Sequence, residues 1–238
     1  MAKTITIIGS SGALGRAFVE HYANAFPQAK IHAFSRTPTA QHPNVSAHAI
    51  DYADEASIAK AAELASADGP IDLVIVATGI LHDDSVQPEK SLRDLNAENF
   101  QHIYAANTIF PALVAKHFLP KLNRGERSVF AVLSAWAGSV THNDTGGWYA
   151  YRASKAALNM VLKNASIEVG RRNKEAIVVG LDPGTVDSKL SEPFKKYIPS
   201  EKLFSAELAT QKLVAVIDGL NPADTGKCFT YDGSEVQP

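Results

Sequence analysis

Residues 3–15 read Lys3-Thr4-Ile5-Thr6-Ile7-Ile8-Gly9-Ser10-Ser11-Gly12-Ala13-Leu14-Gly15. The first six are mostly β-branched and apolar, which predicts a buried strand. A glycine-rich turn follows and leads into a helical stretch ending near residue 25. Strand, glycine turn and helix in that order are the context that a dinucleotide-binding loop requires. With no side chains at Gly9, Gly12 and Gly15, the backbone around Ser11 and Leu14 can approach a pyrophosphate closely. The helix behind it then offers unpaired N–H groups and a favourable dipole. The bland alternative is a plain glycine loop between a strand and a helix.

Outward from that turn, residues 30–35 predict a second strand, ending in Ser35-Arg36-Thr37. An acidic side chain near this point binds the ribose 2′-hydroxyl in NAD-selective sites. Here a serine, an arginine and a threonine stand instead, a set suited to a 2′-phosphate, so NADP is preferred over NAD. Arg36 is otherwise a solvated loop residue. Residues 45–50 form a third short strand ending in Asp51, which reaches an adenine amino group or serves only as a helix cap. Residues 56–67 read as an alanine-rich helix and residues 71–77 as a fourth, wholly apolar strand. Strands without alternation are buried on both faces, as in a parallel sheet covered by helices. Thr78-Gly79-Ile80 breaks that strand at the edge where ligands sit in open α/β sheets. Residues 82–95 are polar and turn-rich, a solvated surface loop. His82, Asp83 and Asp84 within it are adjacent rather than at metal-ligand spacing, so no metal site is expected.

Residues 97–119 predict a long helix interrupted by Pro111, with Asn107 one turn earlier beside a backbone carbonyl freed for water. Residues 127–134 are a fifth strand ending in Ser134, and a glycine-, serine- and threonine-rich loop follows. The run YAYRASKAALNMVLKNASIEV, residues 149–169, is free of glycine and proline. It predicts a helix whose apolar Ala153, Ala156, Ala157, Met160 and Val161 form one wide buried face. Tyr151 and Lys155 then lie one turn apart on the same side. A nearby ammonium would lower the tyrosine pKa from about 10 toward working pH. Such a tyrosine can give a proton to a carbonyl oxygen or take one from an alcohol. Residues 176–181 form a sixth strand, and Asp182-Pro183-Gly184-Thr185-Val186-Asp187 a sharp turn at its end. Residues 188–203 are irregular, 206–219 helical, and 226–231 a last strand. The alternation predicts a single α/β domain over residues 1–238. Its frame is a Rossmann-type, doubly wound parallel sheet of about seven strands with helices on both faces.

Composition narrows the function classes. The chain is 45% hydrophobic and 20% charged, with a net charge of −2 and no basic tail or basic-aromatic stripe, which argues against nucleic acid as a partner. The single cysteine, Cys228, excludes an internal disulfide framework and fits a reducing compartment. No stretch approaches the roughly 18 apolar residues of a membrane span, and the apolar part of the N-terminus is too short for a signal peptide. The expectation is a soluble, cytoplasmic protein without a membrane partner.

The glycine turn, Asn107, Ser134, Tyr151 and Lys155 together, in this order, resemble the short-chain dehydrogenase/reductase family over nearly the whole chain. The stretch GGWYAYRASKAALNM is similar to the C-factor-like branch. The resemblance implies Tyr151 as general acid, with Lys155 lowering its pKa and binding the nicotinamide ribose. It implies a water held by Asn107 in a proton relay, and a serine at the end of the fifth strand bonded to the substrate carbonyl. Thr78 and Gly79 would stand beside the cofactor, and Pro183, Gly184 and Val186 would pack on its nicotinamide. Three departures mark this chain. The turn reads G-x-x-G-x-x-G rather than G-x-x-x-G-x-G, and Ala77 replaces an asparagine. The family's Ser-Ser-x-x-Gly reads Ser134-Ala135-Trp136-Ala137-Gly138, so Ala135 takes the catalytic slot and leaves Ser134, Ser139 or no serine for the role. The implied activity is that of an NADP-dependent carbonyl reductase or alcohol dehydrogenase with a small-molecule carbonyl or alcohol substrate. Trp148, Phe194, Tyr197 and Ile198 would close over that substrate. The alternative is a dinucleotide-binding regulatory or signalling protein with little turnover. Family members pair through the helices around 97–119 and 150–172, which implies a homodimer or homotetramer.

Overall fold

A computed structural model describes residues 3–39 and 42–238. Strands β1 (Thr4–Ile8), β2 (Lys30–Ser35), β3 (Val45–Ala49) and β4 (Leu73–Val76) alternate with helices α1 (Ala13–Ala25) and α2 (Glu55–Ala65). Helices α3 (Ala97–Tyr104) and α4 (Phe110–Phe118) lead to β5 (Ser128–Leu133), α5 (Tyr149–Gly170) and β6 (Ala176–Asp182). The short pair β7 (Thr185–Val186) and β8 (Leu203–Phe204) precedes α6 (Ala206–Gly219) and β9 (Cys228–Thr230). Seven strands form one parallel sheet in the order β3-β2-β1-β4-β5-β6-β9.

The apolar strands put alternate residues on opposite faces, and each face has its own helices. Ile5, Ile7, Ile75, Ala131 and Val179 pack against Phe18 and Tyr22 of α1 and Leu213 and Ile217 of α6. Ile8, Val74, Val76, Phe130 and Val132 pack against Ile58 of α2, Val114 and Phe118 of α4, and Leu158 and Leu162 of α5. Each Val, Leu, Ile or Phe side chain among them, taken fully out of water, contributes about 1.5–3 kcal/mol before entropy is counted. The strand order reverses beside β1, between β2 and β4, so a crevice opens at the C-terminal edge of the sheet there. No helix among the described residues is long and apolar enough to cross a membrane.

The expected doubly wound parallel sheet is the fold, but three local expectations are corrected. The interruption expected at Pro111 lies just before it. Pro111 sits in the first turn of α4, and the irregularity is a π-turn over Ala105–Ile109 that contains Asn107. The buried face of α5 is Tyr151, Ser154, Lys155, Leu158 and Leu162. Met160, expected inside, is 61% exposed, and Ala153, Ala156, Ala157 and Val161 are only partly covered. The run 82–95 is not a wholly solvated loop, because Val86 and Glu89 are buried.

Gly15 fixes how closely α1 approaches the turn after β1: a Cβ there would stand 2.1 Å from the Gly9 carbonyl oxygen. At Gly12 the nearest atom would be 3.4 Å away. Gly15→Ala should therefore lower the unfolding free energy by about 3 kcal/mol or more, and Gly12→Ala should change it by at most about 0.5 kcal/mol. Urea denaturation followed by circular dichroism measures both, and equal effects would contradict the packing argument.

Candidate active site

Helix α5 carries Tyr151 and Lys155 on its buried face, one turn apart as the spacing requires. The Lys155 ammonium, 3% exposed, donates to the Leu133 carbonyl at 2.8 Å and lies 5.9 Å from the centre of the Tyr151 ring. Burial pushes Lys155 down to about 8, while Cys228 and Asp182 pull it the other way. Tyr151 is raised above its ordinary value, first by burial and then by the Asp182 carboxylate. The expected lowering of the phenol by Lys155 is thus outweighed here: a buried phenolate loses its hydration and faces a like charge. Asp182, at the end of β6, is itself raised by burial, although it accepts from the Gly184 N–H at 3.3 Å. Burial pushes the neighbouring Cys228 thiol up to about 12, so it stays neutral.

Asn107 is fully buried and its side chain is committed to the protein. Its amide donates to the Ile80 carbonyl at 2.8 Å and to the Ser154 hydroxyl at 3.1 Å, and its Oδ1 accepts from the Ile80 N–H at 2.8 Å. Thr108 donates to the Ser154 carbonyl at 2.8 Å. The π-turn thereby ties the turn after β4 to α5, and a water beside Asn107 would have to be held by backbone. Gly79 belongs to the same group, since a Cβ there would lie 3.4 Å from Lys155 Nζ and 3.5 Å from Asn107 Oδ1.

The structure does not bring Ser134 to Tyr151. Its hydroxyl donates to Asn159 Oδ1 at 2.6 Å, one turn further along α5 than Lys155. Ser139 is also buried, and its hydroxyl accepts from the His142 N–H at 3.1 Å. Ala135 packs against Tyr151 and Leu81 instead, with Ala137, Trp148, Leu190 and Phe194 around them. A one-residue step along an extended chain reverses the face, which is why Ala135 points where Ser134 cannot. The result is an apolar cluster with aromatic sides around the phenol, at the sheet edge where the crevice opens. Of the side chains expected to close over the substrate, Trp148 and Phe194 join this cluster, whereas Tyr197 is exposed and stands off. His82 joins the rim, its Nε2 3.0 Å from the Leu190 carbonyl and its ring edge-on to Phe194.

The glycine turn lies beside this cleft. Gly9 has φ +87°, and a Cβ on it would come within 2.9 Å of the Ala77 carbonyl. The N–H groups of Gly9 and Ser10 donate to the Phe34 carbonyl. Ser11 offers its carbonyl to Arg16 at 3.2 Å, and Leu14 packs into the core. Helix α1 starts behind Gly12 with no side-chain cap and no acidic residue in its first turn. Those open N–H donors suit a pyrophosphate, and the buried Thr78 hydroxyl, which has no hydrogen-bond partner among the described residues, faces the same edge of the sheet. The residues present therefore fit a dinucleotide. Ser35 is fully buried at the end of β2, while Arg36 and Thr37 are exposed, with the Arg36 guanidinium 5.8 Å from the Tyr52 ring centre. Asp51 is exposed and accepts from the Ala53 N–H at 2.9 Å; the cap of α2 is Asp54. Gly184, with φ +68°, follows Pro183 and packs where a Cβ would meet the Tyr231 ring at 2.8 Å, and Val186 is buried beyond it. No cluster of three or more metal-ligating side chains occurs among the described residues.

Sequence reasoning missed Asp182, Asn159 and Glu89 as members of the site. Asp182 had a signal, an acidic residue at a strand end just before Pro-Gly, whereas Glu89 lies in a polar run that gives no sign of burial.

The chain is 32% identical to the C-signal of Myxococcus xanthus over 168 residues, 71% of this chain and 93% of that protein. It is 28% identical to the 1-hydroxy-2-glutathionyl-2-methyl-3-butene dehydrogenase of a Rhodococcus species, over 79% of this chain and 78% of that protein. The crystal structure of NADPH-bound carbonyl reductase from chicken fatty liver superposes with a TM-score of 0.85 at 23% identity, covering 99% of each chain. The short chain dehydrogenase family model matches residues 3–198. With that match laid over a seven-stranded parallel sheet, a glycine turn and a buried tyrosine–lysine pair, the chain belongs to the short chain dehydrogenase family.

Proposed function

We propose that the protein is an NADP-dependent oxidoreductase that moves hydride between nicotinamide and an apolar carbonyl or alcohol. The observation that carries the reading is the Tyr151–Lys155 pair, buried on α5, with Tyr151 in an apolar cluster at the sheet edge that also bears the glycine turn. NADP, when bound, supplies or accepts the hydride. Gly9, Gly12 and Gly15, with the open N–H groups of α1, would cradle its pyrophosphate, and Arg36 with Thr37 would face a 2′-phosphate. Thr78, Gly79, Pro183, Gly184 and Val186 would border its nicotinamide end. Tyr151 would hold the transferable proton toward the substrate oxygen, and Lys155 would steady the phenol and reach ribose hydroxyls. Asn107 would fix the turn carrying Gly79. The dehydrogenase relative and the NADPH-bound structural neighbour support the reading.

Because Ala135 holds the place of a second hydroxyl donor, Tyr151 would polarise the carbonyl alone, which costs about 10²–10³ in rate relative to a two-donor site. That packing and the likeness to C-signal favour a second reading, a dinucleotide-binding signalling protein with little turnover. Assembly into a homodimer or homotetramer is part of the proposal. Its support is that Ile109, Met160 and Ile167 are exposed, beside a groove of about 720 Å³ between α4 and α5.

The test is NADPH oxidation over a panel of aryl and alkyl ketones. Tyr151→Phe should lower kcat by about 10³-fold or more, with NADPH affinity within about threefold of wild type. NADPH binding with no turnover across the panel would instead support the signalling reading. Ala135→Ser adds a donor beside the phenol and should raise kcat about tenfold or more.

Asp182→Asn tests the electrostatics. Its negative charge raises Tyr151, so removing it lowers the phenol. Asp182 also raises Lys155, which titrates first, from about 8, so the alkaline limb of carbonyl reduction should move to lower pH by about half a pH unit or more. An unmoved limb would mean that Asp182 does not act on the Tyr151–Lys155 pair.

A further inference from the structure

Glu89 is 3% exposed inside an otherwise polar run. Its carbonyl accepts from the Trp148 N–H at 2.6 Å, and its carboxylate Oε2 accepts from the Ala150 N–H at 3.2 Å. The other carboxylate oxygen, Oε1, is buried without a hydrogen-bond partner among the described residues. Trp148 is the N-cap residue of α5 and, among the described residues, the one non-glycine with positive φ, at φ 50° and ψ 44°. A bulky side chain in that left-handed region costs about 1–2 kcal/mol and persists only where neighbours impose it. Gly146 and Gly147, both with positive φ, deliver the chain into it.

Nothing on α5 itself supplies the restraint, because Trp148 makes no side-chain cap and the first turn holds no acidic residue. Glu89 provides both from 61 positions earlier. Its carbonyl holds the tryptophan N–H, and its carboxylate sits at the positive end of a 22-residue helix, where a negative charge is favoured. The held residue is the one that shapes the cleft. The Trp148 indole stands edge-on to Tyr151, 6.2 Å between ring centres at 84°, and leans on Phe194 at 5.1 Å.

We infer that the Glu89 side chain makes it a positioning and specificity residue: bonded to the Ala150 N–H at the head of α5, the carboxylate holds Trp148 in its left-handed conformation and so fixes the aromatic wall of the substrate cleft against Tyr151. The effect on substrates rests on the proposed carbonyl chemistry; the clamp itself does not. A substrate broad enough to touch the indole feels the clamp, and one too small to reach it does not.

The experiment uses the full chain. Trp136 and Trp148 are its two tryptophans, so in a Trp136→Phe background Trp148 is the sole reporter. Glu89→Ala in that background should red-shift Trp148 emission and raise its acrylamide quenching about twofold or more. Glu89→Gln, which keeps the shape and an acceptor oxygen, should fall between it and the parent and covers the case in which alanine prevents folding. For the steady-state measurement, KM for acetophenone should rise about 3- to 10-fold in the alanine variant, the worth of one aromatic contact. KM for acetone and the affinity for NADPH should stay within about twofold. Unchanged Trp148 emission and quenching in both variants overturns the clamp. Changed emission with both ketones affected equally overturns the specificity role. If the parent reduces neither ketone, the proposed carbonyl chemistry fails while the emission readout still decides the clamp.

Discussion

A buried ammonium organises the site. Lys155 is almost wholly withdrawn from water, and a charge in that position survives only with a partner or by giving up its proton. Here both effects show: Nζ donates to the Leu133 carbonyl at 2.8 Å, and its affinity for the proton has fallen to a pKa of about 8. That one bond pins the first turns of α5 to the C-terminal end of β5. Gly138 must lack a side chain, because a Cβ on it would sit 2.9 Å from Lys155. Gly79 and the Asn107 staple close in from the β4 side. The tyrosine one turn away then has a single place to stand, at the floor of the cleft.

The same burial sets the electrostatic character of the cleft. Desolvation raises Tyr151 and Cys228 and lowers Lys155, and the Asp182 carboxylate adds to the rise of both acids. The phenol therefore stays protonated, and burial makes it a weaker acid than a free tyrosine. Ser134 belongs to the support rather than to the cleft. Its 2.6 Å bond to Asn159 ties the strand end to α5 below Lys155. Placing a hydroxyl opposite Tyr151 would need the chain to step by one residue, and that step is filled by Ala135.

The frame was legible because its signals are local. Runs such as TITII and LVIV are β-branched and uninterrupted, and Tyr151 and Lys155 share a face by helix geometry alone. The misreadings have a different origin. Met160 looked like core because apolar residues at helical spacing usually are, yet α5 spends its buried face on Tyr151, Ser154 and Lys155. Pro111 looked like a kink because nothing local showed that a π-turn precedes it. Glu89 was invisible for the same reason: its burial depends on a helix that starts 60 residues later in the chain. Local propensity cannot carry information of that range.

The walls of the cleft extend that point. His82 meets Leu190 across 108 positions, Glu89 meets Ala150 across 61, and Trp148 leans on Phe194. These three segments brace one another above the sheet edge, and none supplies a strand to the main sheet. A change in one of them can reshape the wall around a substrate while leaving Lys155, Asn107 and the glycine turn in place. On the proposed function, the chemistry would be carried by the sheet and the head of α5, and the choice of substrate by loops that answer chiefly to each other. In this chain the tie between the two is the strained backbone of Trp148, which begins the helix that bears Tyr151 and also forms the wall above it.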